Sequence, residues 1–137
     1  MQAESKFDVR YAETDKMGIV HHSNYAVWFE VGRTDYFKKA GISVAKIEEM
    51  GIMLPLYSLE CKFKSPAKYG DEVTVTTEVK QLTKTRLIFE YKVTNAAGGK
   101  LLVTGETGHA WVNSLLKPIN LEKIFPSVYE KLLNLTT

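Results

Sequence analysis

Residues 25–41 read Tyr25-Ala26-Val27-Trp28-Phe29-Glu30-Val31-Gly32-Arg33-Thr34-Asp35-Tyr36-Phe37-Lys38-Lys39-Ala40-Gly41, and this stretch decides the fold. Tyr25, Trp28, Phe29, Gly32, Tyr36 and Ala40 fall at helical spacing and form one stripe. Ala26, Val27, Val31 and Phe37 widen it beyond what a surface helix carries, so the pattern predicts a helix covered by other structure. Ser23 or Asn24 is the expected cap, because a short side-chain oxygen accepts from the free N–H groups of a helix start. Lys38 and Lys39 suit the negative end of the helix dipole, and Gly41 suits a left-handed stop.

On the N-terminal side, Phe7, Val9 and Tyr11 alternate with Asp8 and Arg10, the period of a half-buried strand. On the other side, a short helix is expected over Val44 to Met50, followed by strands. Tyr57, Leu59, Cys61 and Phe63 alternate, as do Val73, Val75, Thr77 and Val79, then Leu87, Phe89, Tyr91 and Val93; Leu101 to Val112 supply a long last strand. Tyr69-Gly70-Asp71, Gln81 to Lys84 and Asn95 to Gly99 are turn signals between them. Pro126 divides the tail into helical pieces over Asn120 to Phe125 and Pro126 to Asn134. Five strands at hairpin spacing and one very apolar helix predict an α+β domain over residues 1–137. An antiparallel sheet curled around one long central helix buries that helix most economically.

Composition narrows the function. At 45% hydrophobic and 25% charged residues the chain has the balance of a globular protein. A net charge of +2 is too mild for a nucleic-acid-binding face, although it leaves room for a local basic patch. The apolar run Tyr25 to Gly32 is short and interrupted by Glu30, so no membrane span is expected. Met1 to Asp8 has no apolar signal region, and the one cysteine, Cys61, fits a reducing compartment; a cytoplasmic location is the expectation.

The segment Tyr11-Ala12-Glu13-Thr14-Asp15-Lys16-Met17-Gly18-Ile19-Val20-His21-His22-Ser23-Asn24-Tyr25 gathers reactive side chains before the buried helix, with Gly18 as its pivot. A helix start presents unpaired N–H groups that can polarise a carbonyl. Asp15 offers a carboxylate able to attack a carbonyl carbon or activate water, and His22 stands where its N–H or imidazole could contact the carbonyl oxygen. An isolated Asp in a polar loop also serves as a turn or cap residue. His21-His22 completes no metal-ligand set, since adjacent side chains diverge and no Cys or carboxylate stands at ligand spacing; no metal or cofactor is expected. Cys61 falls inward with Tyr57 and Phe63 as core, His109 reads as a satisfied sheet residue, and Trp28 and Phe29 are core first and acyl-chain lining second.

The Tyr11–Tyr25 segment resembles the active-site signature of the 4-hydroxybenzoyl-CoA thioesterase family, including its Tol–Pal-associated acyl-CoA thioesterase branch. The matching residues are Thr14-Asp15, Gly18-Ile19-Val20, His22 and Asn24-Tyr25. A second segment, Glu60-Cys61-Lys62-Phe63-Lys64-Ser65-Pro66-Ala67-Lys68-Tyr69-Gly70-Asp71, resembles the family's strand that runs through a proline to a Gly-Asp turn. The resemblance covers about residues 5–115 and implies the hotdog fold and hydrolysis of an acyl-CoA thioester. It implies Asp15 as nucleophile or general base, His22 as the residue whose N–H polarises the carbonyl, and Tyr11 as the third member of a Tyr-Asp-His set. Gly18, Asn24 and Tyr25 would shape the substrate site, and Lys84 and Arg86 would meet the phosphates of CoA, with Lys62, Lys64 and Lys68 as alternatives. Aromatic-acyl members carry aromatic residues where this chain has His21-His22, so an aliphatic acyl group is implied rather than 4-hydroxybenzoyl. Acyl-carrier protein is a further candidate donor, and a homodimer or homotetramer is expected. A hotdog hydratase or dehydratase and a non-enzymatic binder of acyl-CoA or acyl-carrier protein are the alternatives.

Overall fold

A computed structural model describes residues 1–136. Its five strands are β1 (Gln2–Asp8), β2 (Leu56–Phe63), β3 (Glu72–Leu82), β4 (Arg86–Asn95) and β5 (Leu101–Ala110). They form one antiparallel sheet in the order β1-β3-β4-β5-β2. The helices are α1 (Ser23–Ala40), α2 (Val44–Glu49), α3 (Leu121–Ile124) and α4 (Pro126–Thr136). Among the described residues no helix is long and apolar enough to cross a membrane.

The alternation in β3 and β4 sets the core. Val75 pairs with Val93, Thr77 with Tyr91 and Val79 with Phe89, so one face of both strands is apolar. Against it lie Tyr25, Trp28, Phe29, Gly32, Tyr36 and Phe37 of α1, all buried. Two glycines allow the close approach. A Cβ on Gly32 would collide with Thr77, and one on Gly105 of β5 with the Phe29 ring. Phe29 therefore stacks flat on Tyr91, with ring centroids 4.2 Å apart and planes 8° apart. Each such buried ring contributes on the order of 1.5–3 kcal/mol. The Gly41 stop forms as expected, left-handed, with its N–H donating to Lys38 and Phe37. A second helix shares this surface, since α4 packs on β3 and on α1.

Several sequence expectations shift. β1 runs over Gln2–Asp8 instead of Phe7 to Tyr11, because its inward residues include small Ala3 and Ser5, which an apolar alternation does not flag. Tyr11 opens a 3-10 turn, Tyr11–Glu13. The last strand ends at Ala110, and Val112 makes isolated bridges to Met53 and Pro118. Neither Ser23 nor Asn24 caps α1. His22 is the N-cap without a side-chain cap bond, and the ring of His21 accepts from the Ser23 N–H at 3.2 Å. β2 carries no core stripe, because α1 packs chiefly on β1, β3 and β4, while β2 makes its main contact with β5. Tyr57, Leu59 and Phe63 are exposed there, as are Val27 and Val31 on α1, and Cys61 is half-buried.

Candidate active site

The segment before α1 folds into a small hairpin. Asp15 N–H donates to Ile19 O (2.9 Å) and Gly18 N–H to Asp15 O (3.0 Å), while Thr14 bridges Val20. Gly18 turns the tip at φ 77°, a left-handed conformation that a side chain would strain. Val20 N–H donates to Ala67 O and Ile19 bridges Lys68, so the second matching segment lies alongside the hairpin. His21 N–H returns to Glu13 O at 2.8 Å and closes the ladder where α1 begins.

The hairpin delivers Asp15 and His22 to one cavity of about 480 Å³, together with Tyr25, Ile19, Val20, Phe63 and Pro66. One Asp15 oxygen, Oδ1, accepts the Met17 N–H at 2.8 Å, a local turn bond that fixes the carboxylate. Among the described residues Asp15 Oδ2 has no donor, and the backbone N–H of His22 has no acceptor. An open carboxylate oxygen and an open N–H at a helix start are the two functions that attack on a polarised carbonyl needs. Burial holds the Tyr25 phenol above its ordinary pKa, so its hydroxyl stays protonated at this wall.

Other residues singled out by sequence lie elsewhere. Tyr11 is 77% exposed and packs edge-on against Tyr69, outside the cavity lining. Asn24 donates from Nδ2 to Glu13 O (2.9 Å) and His21 O (3.3 Å), so it ties the hairpin to the helix start. His21 and His22 do not diverge; their rings sit 4.2 Å apart, because His21 turns back onto Ser23. Lys84 and Arg86 are exposed at the far end of the sheet, where Arg86 stands 5.6 Å over the Tyr57 ring. Arg86 pairs with Ala110 and Phe63 with Val103, seven residues along β5 (110 − 103), which is roughly 23 Å at strand rise. Within one chain those cations do not meet the Asp15 cavity.

A second cavity, about 550 Å³, lies between α1, α2 and β5 and is walled by Phe37, Ile47, Leu54, Trp111 and His109. His109 is buried as expected, and burial with the Arg33 charge lowers its pKa to about 4. Sequence reasoning passed over Glu13, which is 4% exposed and receives the Trp28 indole N–H at 2.7 Å. Composition offers no signal for it, since a Glu in a polar loop reads as solvated until a partner's position is known.

The model of the thioesterase-like superfamily matches residues 9–132. The Bacillus subtilis (strain 168) protein YneP, provisionally named an acyl-CoA thioesterase, is 36% identical over 133 residues, covering 94% of this chain and 96% of its own. The acyl-CoA thioesterase YbgC of Helicobacter pylori is 30% identical over 125 residues, covering 85% and 92%. Among solved structures, a DHNA-CoA thioesterase from Staphylococcus aureus superimposes with a TM-score of 0.93 at 37% identity, over 97% of this chain and 89% of that one.

Proposed function

The chain belongs to the thioesterase-like superfamily, and from that footing we propose that it is an acyl-CoA thioesterase acting through Asp15. The observation that carries this reading is the shared cavity, where the open Asp15 carboxylate faces the same space as the His22 helix start. The thioester carbonyl oxygen takes the His22 N–H, which stabilises the charge that develops there. Asp15 then either attacks the carbonyl carbon, expelling CoA thiolate and leaving an anhydride that water opens, or removes a proton from an attacking water. Both routes consume one water and yield a free acid and CoA. Ile19, Val20 and Phe63 supply an apolar bed for the acyl group.

The same reading takes the sheet as a hotdog curled around α1, and pairs two chains through β2. Among the described residues no strand lies on the outer side of β2, which exposes Leu56, Tyr57, Leu59 and Phe63. Antiparallel pairing of two β2 strands sets the Leu56 end of one chain beside the Phe63 end of the other. The partner's Arg86 and Lys84 would then approach the Asp15 cavity, where CoA phosphates need cations. The single free cysteine suits a cytoplasmic setting.

The test is a panel of aliphatic and aromatic acyl-CoAs and an acyl-carrier protein thioester, read by thiol release, with double-bond formation followed in parallel. Thiol release from at least one acyl-CoA is expected. Binding with no thiol released, or double-bond formation in its place, would overturn the assignment.

A further inference from the structure

Glu13 is a buried carboxylate that the proposed chemistry does not use. Its side chain is 5% exposed. Oε1 accepts the Arg10 N–H at 2.8 Å, with the Arg10 guanidinium 3.6 Å away, and Oε2 accepts the Trp28 indole N–H at 2.7 Å. Its backbone carbonyl takes two more donors, His21 N–H and Asn24 Nδ2–H. Four donors from the strand exit, the hairpin end and the first two turns of α1 therefore converge on one residue that lies two positions from Asp15.

We propose that Glu13 is the positioning residue of this site, clamping the Asp15 hairpin to α1 so that Asp15 and His22 face the same cavity. The proposal rests on the reading that Asp15 acts on the thioester. Its physical basis is the expense of an unpaired buried charge. If the hairpin slides along α1, Glu13 loses the indole or the Arg10 N–H, and a buried carboxylate short of a donor is strongly disfavoured. The tip at Lys16, Met17 and Gly18 is exposed, and the Val20 N–H on Ala67 O with the Ile19–Lys68 bridge ties the hairpin to the segment before β3 rather than to α1. A misplacement of about 1 Å at a reacting group is enough to lose roughly 100-fold in rate.

Glu13→Gln is the sharp variant, because it keeps the shape. Both carboxylate oxygens face donors, so the amide must set its NH₂ against an N–H whichever way it flips. The expected result is a folded protein whose kcat for the best acyl-CoA falls about 10-fold or more while KM stays within about 2-fold, since placement and not affinity is lost. The Trp28 indole proton should also shift in an NMR spectrum, and Asp15→Asn should leave it unmoved. A folded Glu13→Gln enzyme with unchanged kcat, or with its whole loss in KM, overturns the proposal. If Glu13→Gln does not fold, Trp28→Phe carries the test, since it deletes the donor and keeps a ring against Phe7 and Tyr25. A kcat loss of about 3-fold or more at constant KM supports the clamp, and an unchanged kcat overturns it. A fully active Asp15→Asn removes the parent reading, whereas an inactive Asp15→Asn beside a fully active Glu13→Gln removes only the clamp.

Discussion

The Asp15 hairpin and the Arg33–Tyr91–Thr107–His109 chain both bring polar side chains to α1, yet the hydroxyls and imidazole of the second are all paired, whereas the first leaves a carboxylate oxygen and an N–H open. In the chain, Arg33 Nη1 donates to the Tyr91 hydroxyl at 3.1 Å, and that hydroxyl lies 2.6 Å from Thr107 Oγ1. Thr107 lies 2.8 Å from His109 Nε2, and His109 Nδ1 faces Leu54 O at 3.3 Å. A neutral His109 with its proton on Nδ1 lets every hydroxyl along this line donate once and accept once. Both hydroxyls and both imidazole nitrogens of the chain are thereby occupied. At the hairpin, Glu13 is saturated with donors, while Asp15 Oδ2 and the His22 N–H have no partner among the described residues. Saturated networks hold the fold, and open valences beside a cavity are where chemistry can start.

The contrast can be broken at either end. The largest effect is expected at the open end. His22 sits at φ −56°, which suits proline, so His22→Pro deletes the N–H at a φ that residue already has. Its kcat should fall by roughly 100-fold or more, as for loss of one oxyanion donor, and by more than that of His22→Ala, which keeps the N–H. Equal losses in the two variants, measured by steady-state thiol release, would assign the role to the imidazole.

Next in size is the acid response of the closed network. The folded pKa of His109, about 4, lies below its unfolded value of 6.5, so between those values the unfolded chain binds more protons. This contribution is intact above pH 6.5 and is lost as pH falls toward 4. Its ceiling is about 3–4 kcal/mol, from 2.5 units at about 1.4 kcal/mol each. Urea unfolding at pH 7 and at pH 4.5 should show His109→Leu losing less stability on acidification than the parent. Equal slopes would mean that His109 is not held neutral.

Thr107→Val should have the smallest effect. It strands the Tyr91 hydroxyl and His109 Nε2, which costs about 1–3 kcal/mol of stability. Turnover per folded molecule should not change. A kcat loss in folded Thr107→Val would couple the two regions and erase the distinction between them.

How much of this was legible in the sequence follows the same division. β3 and β4 were readable because strands buried on one face must alternate, and α1 because its stripe repeats at 3.6 residues. Gly41 announced the helix end because few other residues tolerate its conformation. β1 was displaced, since the inward side chains of Ala3 and Ser5 carry no apolar signal. β2 alternated but lies at an edge, and periodicity reports which residues share a face without reporting whether anything covers it. In the site, Asp15, His22 and Tyr25 were singled out and share a cavity, whereas Tyr11 was singled out and lies outside it. Glu13 was invisible because its meaning comes from the Trp28 indole fifteen residues away.

The most direct test compares thiol release by Asp15→Asn and by the unaltered chain, on the best acyl-CoA, with thermal stability measured on the same samples. Asn keeps an oxygen for the Met17 turn bond but can neither attack the thioester nor take a proton from water. The account predicts a kcat lower by roughly two orders of magnitude or more with the melting temperature essentially unchanged. Full turnover by a correctly folded Asp15→Asn protein would contradict it.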